Sequence, residues 1–232
     1  MKKKILAFSP SYNEKVIIKK FIKQFFHYNK IDLLIIDDNS PDGTANIVKL
    51  EKIKNKLIKL IVRKKKSGID TAHMDAFKYT IKNNYDYLIT LDCDLQHDVA
   101  DIKRFANELN FNNFIIGSRY MLNGECNLKG FRYLLSYYGN KFLKYLFNVQ
   151  INEFTTSFRG FDKKALKFLI KKKIFSRNYS FFMEVVYMLN KYNFRLKEIP
   201  IIFNSRKLGY SKIPKTEIIR TLYNAARLKL FY

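Results

Sequence analysis

Tyr87-Leu88-Ile89-Thr90-Leu91-Asp92-Cys93-Asp94 is a short run of apolar and β-favouring residues that ends abruptly in two acids. A continuous apolar run, as opposed to an alternating one, reads as a strand buried on both faces. Such strands belong to parallel sheets covered by helices, where ligands sit beyond the carboxyl ends of the strands. Here that end carries Asp92 and Asp94. Residues i and i+2 of an extended segment project the same way, so both carboxylates face one point. Converging carboxylates repel unless a cation lies between them. A hard divalent ion such as Mg²⁺ or Mn²⁺ takes such oxygen ligands and completes its shell with diphosphate oxygens and water. Gln96 and His97 follow on the same loop as further candidate ligands. Taken alone, the pair reads equally well as two solvated acids at a strand end.

Outward from this stretch the pattern repeats. Residues 5–8, 33–36, 57–62 and 114–117 read as further strands, and 16–26, 44–53, 71–81 and 102–109 have apolar residues at helical spacing, with Asp42 or Thr44 near the start of the second helix as a cap. Strands alternating with helices predict an α/β fold with a mostly parallel sheet flanked by helices. The strand ends carry Ser9-Pro10-Ser11-Tyr12-Asn13-Glu14, Asp37-Asp38-Asn39-Ser40-Pro41-Asp42-Gly43 and Gly117-Ser118-Arg119. The second of these is turn chemistry, but two acids directly at the strand end exceed what a turn needs. A carboxylate there can accept hydrogen bonds from ribose hydroxyls or a base edge.

The C-terminal half changes character. Phe131–Phe147 is aromatic and amphipathic, with Phe131, Leu134, Leu135, Tyr138, Phe142 and Leu146 on one face and Arg132, Ser136 and Asn140 in a polar stripe. Residues 179–189 read as a helix, 195–203 as a strand, and 216–230 as an amphipathic helix carrying Arg220, Arg227 and Lys229. Gly117-Ser118-Arg119, Arg132, Arg159 and Arg206-Lys207-Leu208-Gly209-Tyr210-Ser211-Lys212 are candidate anion binders. Arginine grips phosphate bidentately, and small residues let backbone N–H groups approach it. Without repeat, linker or composition break, residues 1–232 are expected to form one domain.

Composition bounds the function. The chain has 232 residues, 47% hydrophobic and 28% charged, with a formal net charge of +24. That charge points to a polyanionic partner, nucleic acid or an anionic membrane surface, or to lysine-rich compositional bias. No apolar run approaches the roughly 18 residues of a spanning helix, and the start is too short for a signal peptide. A cytoplasmic protein is therefore expected, with Cys93 and Cys126 reduced. His27, His73 and His97 show no ligand spacing, and neither a Walker loop nor a local Ser-His-Asp arrangement is found.

Taken in order, the 9–14, 37–44, 91–97 and 117–120 motifs and Arg206-x-x-Gly209-x-Ser211-Lys212 resemble the family 2 inverting glycosyltransferases with the GT-A, Rossmann-like fold. Within them the likeness is to polyprenyl-phosphate sugar transferases of the dolichyl-phosphate mannosyltransferase type. The resemblance spans nearly the whole chain. It implies transfer of a sugar, with GDP-mannose the favoured donor and UDP-glucose the alternative, to a polyprenyl phosphate with inversion. Pro10, Tyr12, Glu14, Asp37 and Asp38 would then hold the nucleoside. Asp92, Asp94 and Gln96 would bind Mg²⁺ or Mn²⁺ and through it the diphosphate, with Asp94 catalytic. Arg119, Arg132 and Ser136 would meet the acceptor phosphate, Arg159 would bind substrate, and Arg206 and Lys212 would close over the donor phosphates. Residues 1–120 would form the nucleotide-sugar half and 121–232 the acceptor half. The two amphipathic helices would rest on the cytoplasmic face of a membrane, with a membrane-anchoring partner protein a further expectation and nucleic acid not a partner. Three positions depart from the family pattern: Asp70 in place of a glycine, Ser157 in place of a glycine before Phe158-Arg159, and Cys93 in place of an alanine. Asp70 and Ser157 leave an inactive nucleotide-sugar-binding protein as the rival reading, beside a basic nucleic-acid-binding module that would leave the acidic motifs unexplained.

Overall fold

The computed structural model describes residues 3–172, 174–204 and 217–231. The apolar runs become strands and the periodic segments helices: β1 (Ile5–Ser11), α1 (Ile18–Tyr28), β2 (Asp32–Asp37), α2 (Thr44–Lys54), β3 (Ile58–Val62), α3 (Ile69–Lys82), β4 (Tyr87–Thr90), α4 (Ile102–Glu108), β5 (Phe114–Ser118), β6 (Glu125–Cys126), α5 (Phe131–Phe147), β7 (Arg159–Asp162), α6 (Lys163–Lys171), α7 (Ser180–Lys191), β8 (Leu196–Pro200), β9 (Ile202–Phe203) and α8 (Glu217–Phe231). Seven strands form one sheet in the order β3-β2-β1-β4-β7-β5-β8. β1 pairs in parallel with β2 and β4, β2 with β3, and β5 with β8. The sheet is therefore mostly parallel, as the continuous apolar runs predict.

Alternation along each strand splits the core in two. Leu34 and Ile36 of β2 join Phe8, Leu88, Phe114 and Ile116 on the face covered by α3, α5, α6, α7 and α8. Leu33 and Ile35 join Ala7, Ile89 and Ile115 on the face covered by α1 and α4. Each such side chain sealed from water contributes about 1.5–3 kcal/mol, so a one-residue slip of β2 would exchange its two faces without gain. α7 is buried at every residue of 180–189, which marks a core helix. Its Glu184 is accommodated because its carboxylate accepts the N–H groups of Phe175 and Ser176 at 3.0 and 2.7 Å.

Two stretches of strand depart from the sequence reading. β7 falls in a segment with no apolar run, yet it inserts between β4 and β5, antiparallel to both. The expected strand over 195–203 is two: β8 extends the main sheet, while β9 pairs with β6 in a small second sheet. The break is at buried Ile201, whose N–H donates to Ser118 O at 3.1 Å. A Cβ on Gly117 would lie 2.9 Å from Ile201 side-chain carbons, so glycine is required where these strands close. α5 matches the expected bounds, but its aromatic face is largely bare. Phe131, Leu134, Tyr138, Phe142 and Tyr145 are exposed, and only Asn140, Leu143 and Phe147 are buried.

Candidate functional site

Strand direction gathers the site. β4 and β5 are each antiparallel to β7, so they are parallel to each other and end on the same edge of the sheet. β1 and β2 end there as well. The 9–14 loop, the 37–44 turn, Asp92-Cys93-Asp94 and Gly117-Ser118-Arg119 therefore share one edge, where the fold rule places a ligand.

The first two loops brace each other. Asn13 N–H donates to Ser40 Oγ, Glu14 N–H to Thr44 Oγ1 and Lys15 N–H to Asp42 Oδ2, at 2.9–3.0 Å. Asp42 also accepts the N–H and hydroxyl of Thr44, at 2.9 and 2.6 Å. The residue at the cap position itself is Gly43, held at φ 87°, so Asp42 caps from one residue outside. The Tyr12 ring lies under Lys66, whose Nζ is 4.0 Å from the ring centre. Asp37 is sealed from solvent and accepts Ser40 N–H at 2.9 Å. Asp38 accepts Ser67 N–H at 2.8 Å, Gly68 N–H at 3.0 Å and Arg63 Nε at 3.0 Å. Asp37 thus builds the turn and Asp38 fastens the β3–α3 connection, which holds both acids at the edge where the nucleoside is expected. Arg63, which sequence reasoning missed, also reaches Thr71 Oγ1 and Gly68 O at 2.6 and 2.8 Å.

At the end of β4, Cys93 turns inward and its Sγ donates to Pro10 O at 3.3 Å. Burial pushes its thiol well above the ordinary cysteine value, and the nearby charges of Glu14, Asp94 and Asp92 push further in the same direction. The cysteine is thereby kept a neutral thiol. Asp92 is half-buried and Asp94 buried. Asp94 Oδ1 accepts Gln96 N–H at 3.1 Å, across Leu95 at φ 63°. A left-handed leucine costs on the order of 1 kcal/mol, and strain of this kind is concentrated at functional sites. Gln96 Nε2 donates to Asn204 O and Asn204 N–H to Gln96 O, both at 2.9 Å. The acid loop is thereby tied to the residue that precedes 205–216. Arg206 and Lys212 lie outside the described residues.

The donor set of Asp92 and Asp94 consists of hard carboxylate oxygens, which fits Mg²⁺ or Mn²⁺. Among the described residues no group of three or more His, Cys, Asp or Glu side chains could hold a metal ion. The remaining positions would have to come from the Gln96 amide, the ligand and water. His97 is buried against Phe158 and Phe203, with Nε2 3.3 Å from Thr156 Oγ1. Burial lowers its pKa to about 4, so it is neutral at pH 7.

Arg119 is held by Glu153, an acid the sequence reading did not single out. Nε and Nη2 donate to the two carboxylate oxygens at 2.7 and 2.9 Å. Burial pushes the Glu153 carboxyl up, but the charge and hydrogen bonds of Arg119 outweigh it and hold the pKa below the usual carboxylate value. The partners are 34 residues apart, which no local pattern reveals. Tyr120 lies edge-on to Tyr133 and Tyr137 of α5, and its ring centre is 5.1 Å from the Arg119 guanidinium carbon. Arg132, one turn before Ser136, is exposed. Arg159, expected to bind substrate, is placed in the core. It is 1% exposed and donates to the carbonyls of Thr156, Phe182 and Phe154, each at 2.7 Å. It pins loops together inside the core.

With this geometry in hand, the likenesses are informative. The sequence model of glycosyl transferase family 2 matches residues 7–170. The chain is similar to polyprenol monophosphomannose synthase of Mycolicibacterium smegmatis, 26% identical over 225 residues covering 95% of this chain and 85% of the relative. It is similar to undecaprenyl-phosphate mannosyltransferase of Micrococcus luteus, 24% identical over 226 residues covering 97% and 93%. Among solved structures it resembles glucosyl-3-phosphoglycerate synthase of Mycobacterium tuberculosis in complex with phosphoglyceric acid, with a TM-score of 0.72 at 12% identity over 98% of this chain and 80% of that one. The same synthase with Mn²⁺, UDP and glucosyl-3-phosphoglycerate gives 0.68 at 12% identity over 98% and 80%. At this identity the structural likeness shows the GT-A fold.

Proposed function

The chain belongs to glycosyl transferase family 2 and is a glycosyltransferase, and from that premise we propose that it moves a mannosyl group from GDP-mannose to a polyprenyl phosphate, inverting the anomeric carbon. The carrying observation is the shared sheet edge: Asp92 and Asp94 just beyond the end of β4, and Arg119 just beyond the end of β5. The mannosyl and polyprenyl choices rest on the two relatives that align over nearly the whole chain.

The nucleophile is the lipid's phosphate oxygen. A phosphate monoester with a second pKa of roughly 6 is largely ionised at neutral pH, so the protein needs no general base. Its tasks are alignment and charge management. Pro10, Tyr12 and Glu14 border the nucleoside. Arg119 and Arg132, with Ser136, meet the acceptor phosphate, and Arg206 and Lys212 cover the donor diphosphate. A divalent cation held by Asp92, Asp94 and Gln96 would neutralise the departing nucleoside diphosphate. The bond from the anomeric carbon to the diphosphate breaks as the bond to the lipid phosphate forms on the opposite face. Residues 1–120 serve mainly the donor and 121–232 mainly the acceptor, with Arg119 reaching across to the acceptor and Arg206 and Lys212 back to the donor.

The test is a donor screen with purified protein, polyprenyl phosphate and Mg²⁺ or Mn²⁺, comparing GDP-mannose with UDP-glucose. GDP-mannose is expected to give an inverted mannosyl phospholipid, with transfer abolished by chelator. Asp94→Asn is expected to lower turnover on the order of 10²–10³-fold with the fold intact. Transfer from UDP-glucose alone would overturn the donor assignment, and unchanged turnover in Asp94→Asn would overturn the metal role.

A further inference from the structure

Arg119 and Glu153 form a deeply buried ion pair, with side chains 7% and 0% exposed. A guanidinium has five N–H donors. Nε and one hydrogen of Nη2 go to Glu153, and the second hydrogen of Nη2 goes to Thr155 Oγ1 at 3.0 Å. The two hydrogens of Nη1 have no partner among the described residues. The ring of Tyr120 lies 5.1 Å from the guanidinium carbon and that of Phe203 lies 4.9 Å from it. Glu153 is itself fixed: its Oε1 also accepts Thr155 N–H and Oγ1–H and Thr156 N–H, at 2.9, 2.8 and 3.2 Å.

We propose that Glu153 is a positioning residue for the transfer reaction, locking Arg119 so that the paired N–H groups of Nη1 are left as a preset edge for the acceptor phosphate. The inference rests on the reading above that Arg119 meets that phosphate. A free arginine loses rotamer freedom when it grips an anion, whereas Arg119 has lost that freedom already on folding, which favours binding by preorganisation. A buried ion pair is weak evidence for stability in itself. Its arrangement, with one donor edge withheld from every internal acceptor described, is that of a presented group.

The experiment compares Glu153→Gln, Arg119→Ala and the double variant in the full chain. Steady-state kinetics are run against polyprenyl phosphate and against whichever nucleotide sugar the donor screen identifies. Glu153→Gln should raise the acceptor KM about tenfold while the donor KM moves less than about twofold. The double variant should be no worse than Arg119→Ala, because the two residues act as one unit. Thr155→Val, which keeps the ion pair but removes a bond to Nη2, should give a smaller rise in acceptor KM. An unchanged acceptor KM in Glu153→Gln, or losses that multiply in the double variant, overturns the proposal. Should Glu153→Gln fail to fold by circular dichroism, Glu153→Asp and Thr155→Val decide it, and an unchanged acceptor KM in both is fatal. Should Arg119→Ala leave the acceptor KM untouched, the role of Arg119 falls and the proposal with it. Multiplying losses beside a damaged Arg119→Ala sink the Glu153 role alone.

Discussion

His73 sits on α3 inside a cage of Phe8, Phe77, Phe181 and Phe182. Its Nδ1 meets Ile69 O at 2.8 Å, and its Nε2 has no partner among the described residues. Burial lowers its pKa to about 3, and the positive charge of Arg159 acts in the same direction. The unfolded chain takes up a proton near the ordinary value of about 6.5, while the folded chain refuses it down to about 3. Stability from this site is therefore whole above pH 6.5 and is lost as pH falls toward 3, by an amount on the order of several kcal/mol. His73→Leu should flatten the decline of Tm between pH 6.5 and 4 relative to the parent. Parallel curves for the two proteins would show that His73 does not resist protonation in the fold.

Gly117 and Ile201 show how much of an element one residue can set. The alanine methyl of Gly117→Ala would meet Ile201 Cδ1 and Cγ2 at 2.9 Å and Phe105 Cζ at 3.2 Å. Overpacking of this kind costs about 1–3 kcal/mol, or a Tm lower by roughly 2–4 °C for each kcal/mol at this size. Adding Ile201→Ala should recover part of the loss, and an unshifted Tm in Gly117→Ala would show that the β5 end is looser than its contacts imply. The same region marks the limit of what periodicity reveals. β1, β2, β4 and β5 were legible because each is buried on both faces and so reads as an unbroken apolar run. β7 was not, because Arg159-Gly160-Phe161-Asp162 takes its place through pairing to β4 and β5 and through a glycine packed on Leu109, and neither leaves a repeat. The break at Ile201 was hidden for a related reason: a residue that changes sheets stays apolar. In the site, Asp92 and Asp94 stood out as two acids that close an apolar run just beyond β4, a pattern that by itself does not separate a metal site from solvated acids. The lock on Arg119 was not legible, since Glu153 lies across a whole helix in sequence. The burial of Arg159 was not legible either, because its three carbonyl partners leave no pattern in the sequence.

At the scale of the whole molecule, charge and exposed aromatic surface point the same way. The 44 Lys and Arg against 20 Asp and Glu exceed anything the site requires. α5 and α8 lie in contact, and Leu222, Tyr223 and Leu230 of α8 are exposed like the aromatic face of α5. Exposed apolar side chains gathered on two touching helices are a candidate interaction surface. No helix among the described residues is long and apolar enough to cross a membrane. Under the proposed function the lipid acceptor is met at the membrane, and amphipathic helices with basic and aromatic side chains bind in the headgroup plane. Each lysine or arginine near an anionic leaflet contributes about 1 kcal/mol, screened over a Debye length of about 8 Å at physiological salt. The protein is therefore expected to sediment with vesicles containing anionic lipid at low salt and to be partly released at high salt, with a salt-resistant remainder held by the aromatic face. Combining Phe131→Ser, Tyr138→Ser and Tyr145→Ser, all exposed positions, should remove that remainder while leaving Tm unchanged. The same variant should keep transfer to a short water-soluble polyprenyl phosphate and lose transfer to a long-chain one embedded in vesicles. Absence of vesicle binding at low salt would sink the membrane reading, and equal losses on both acceptors would place the aromatic face in the reaction site and not in docking.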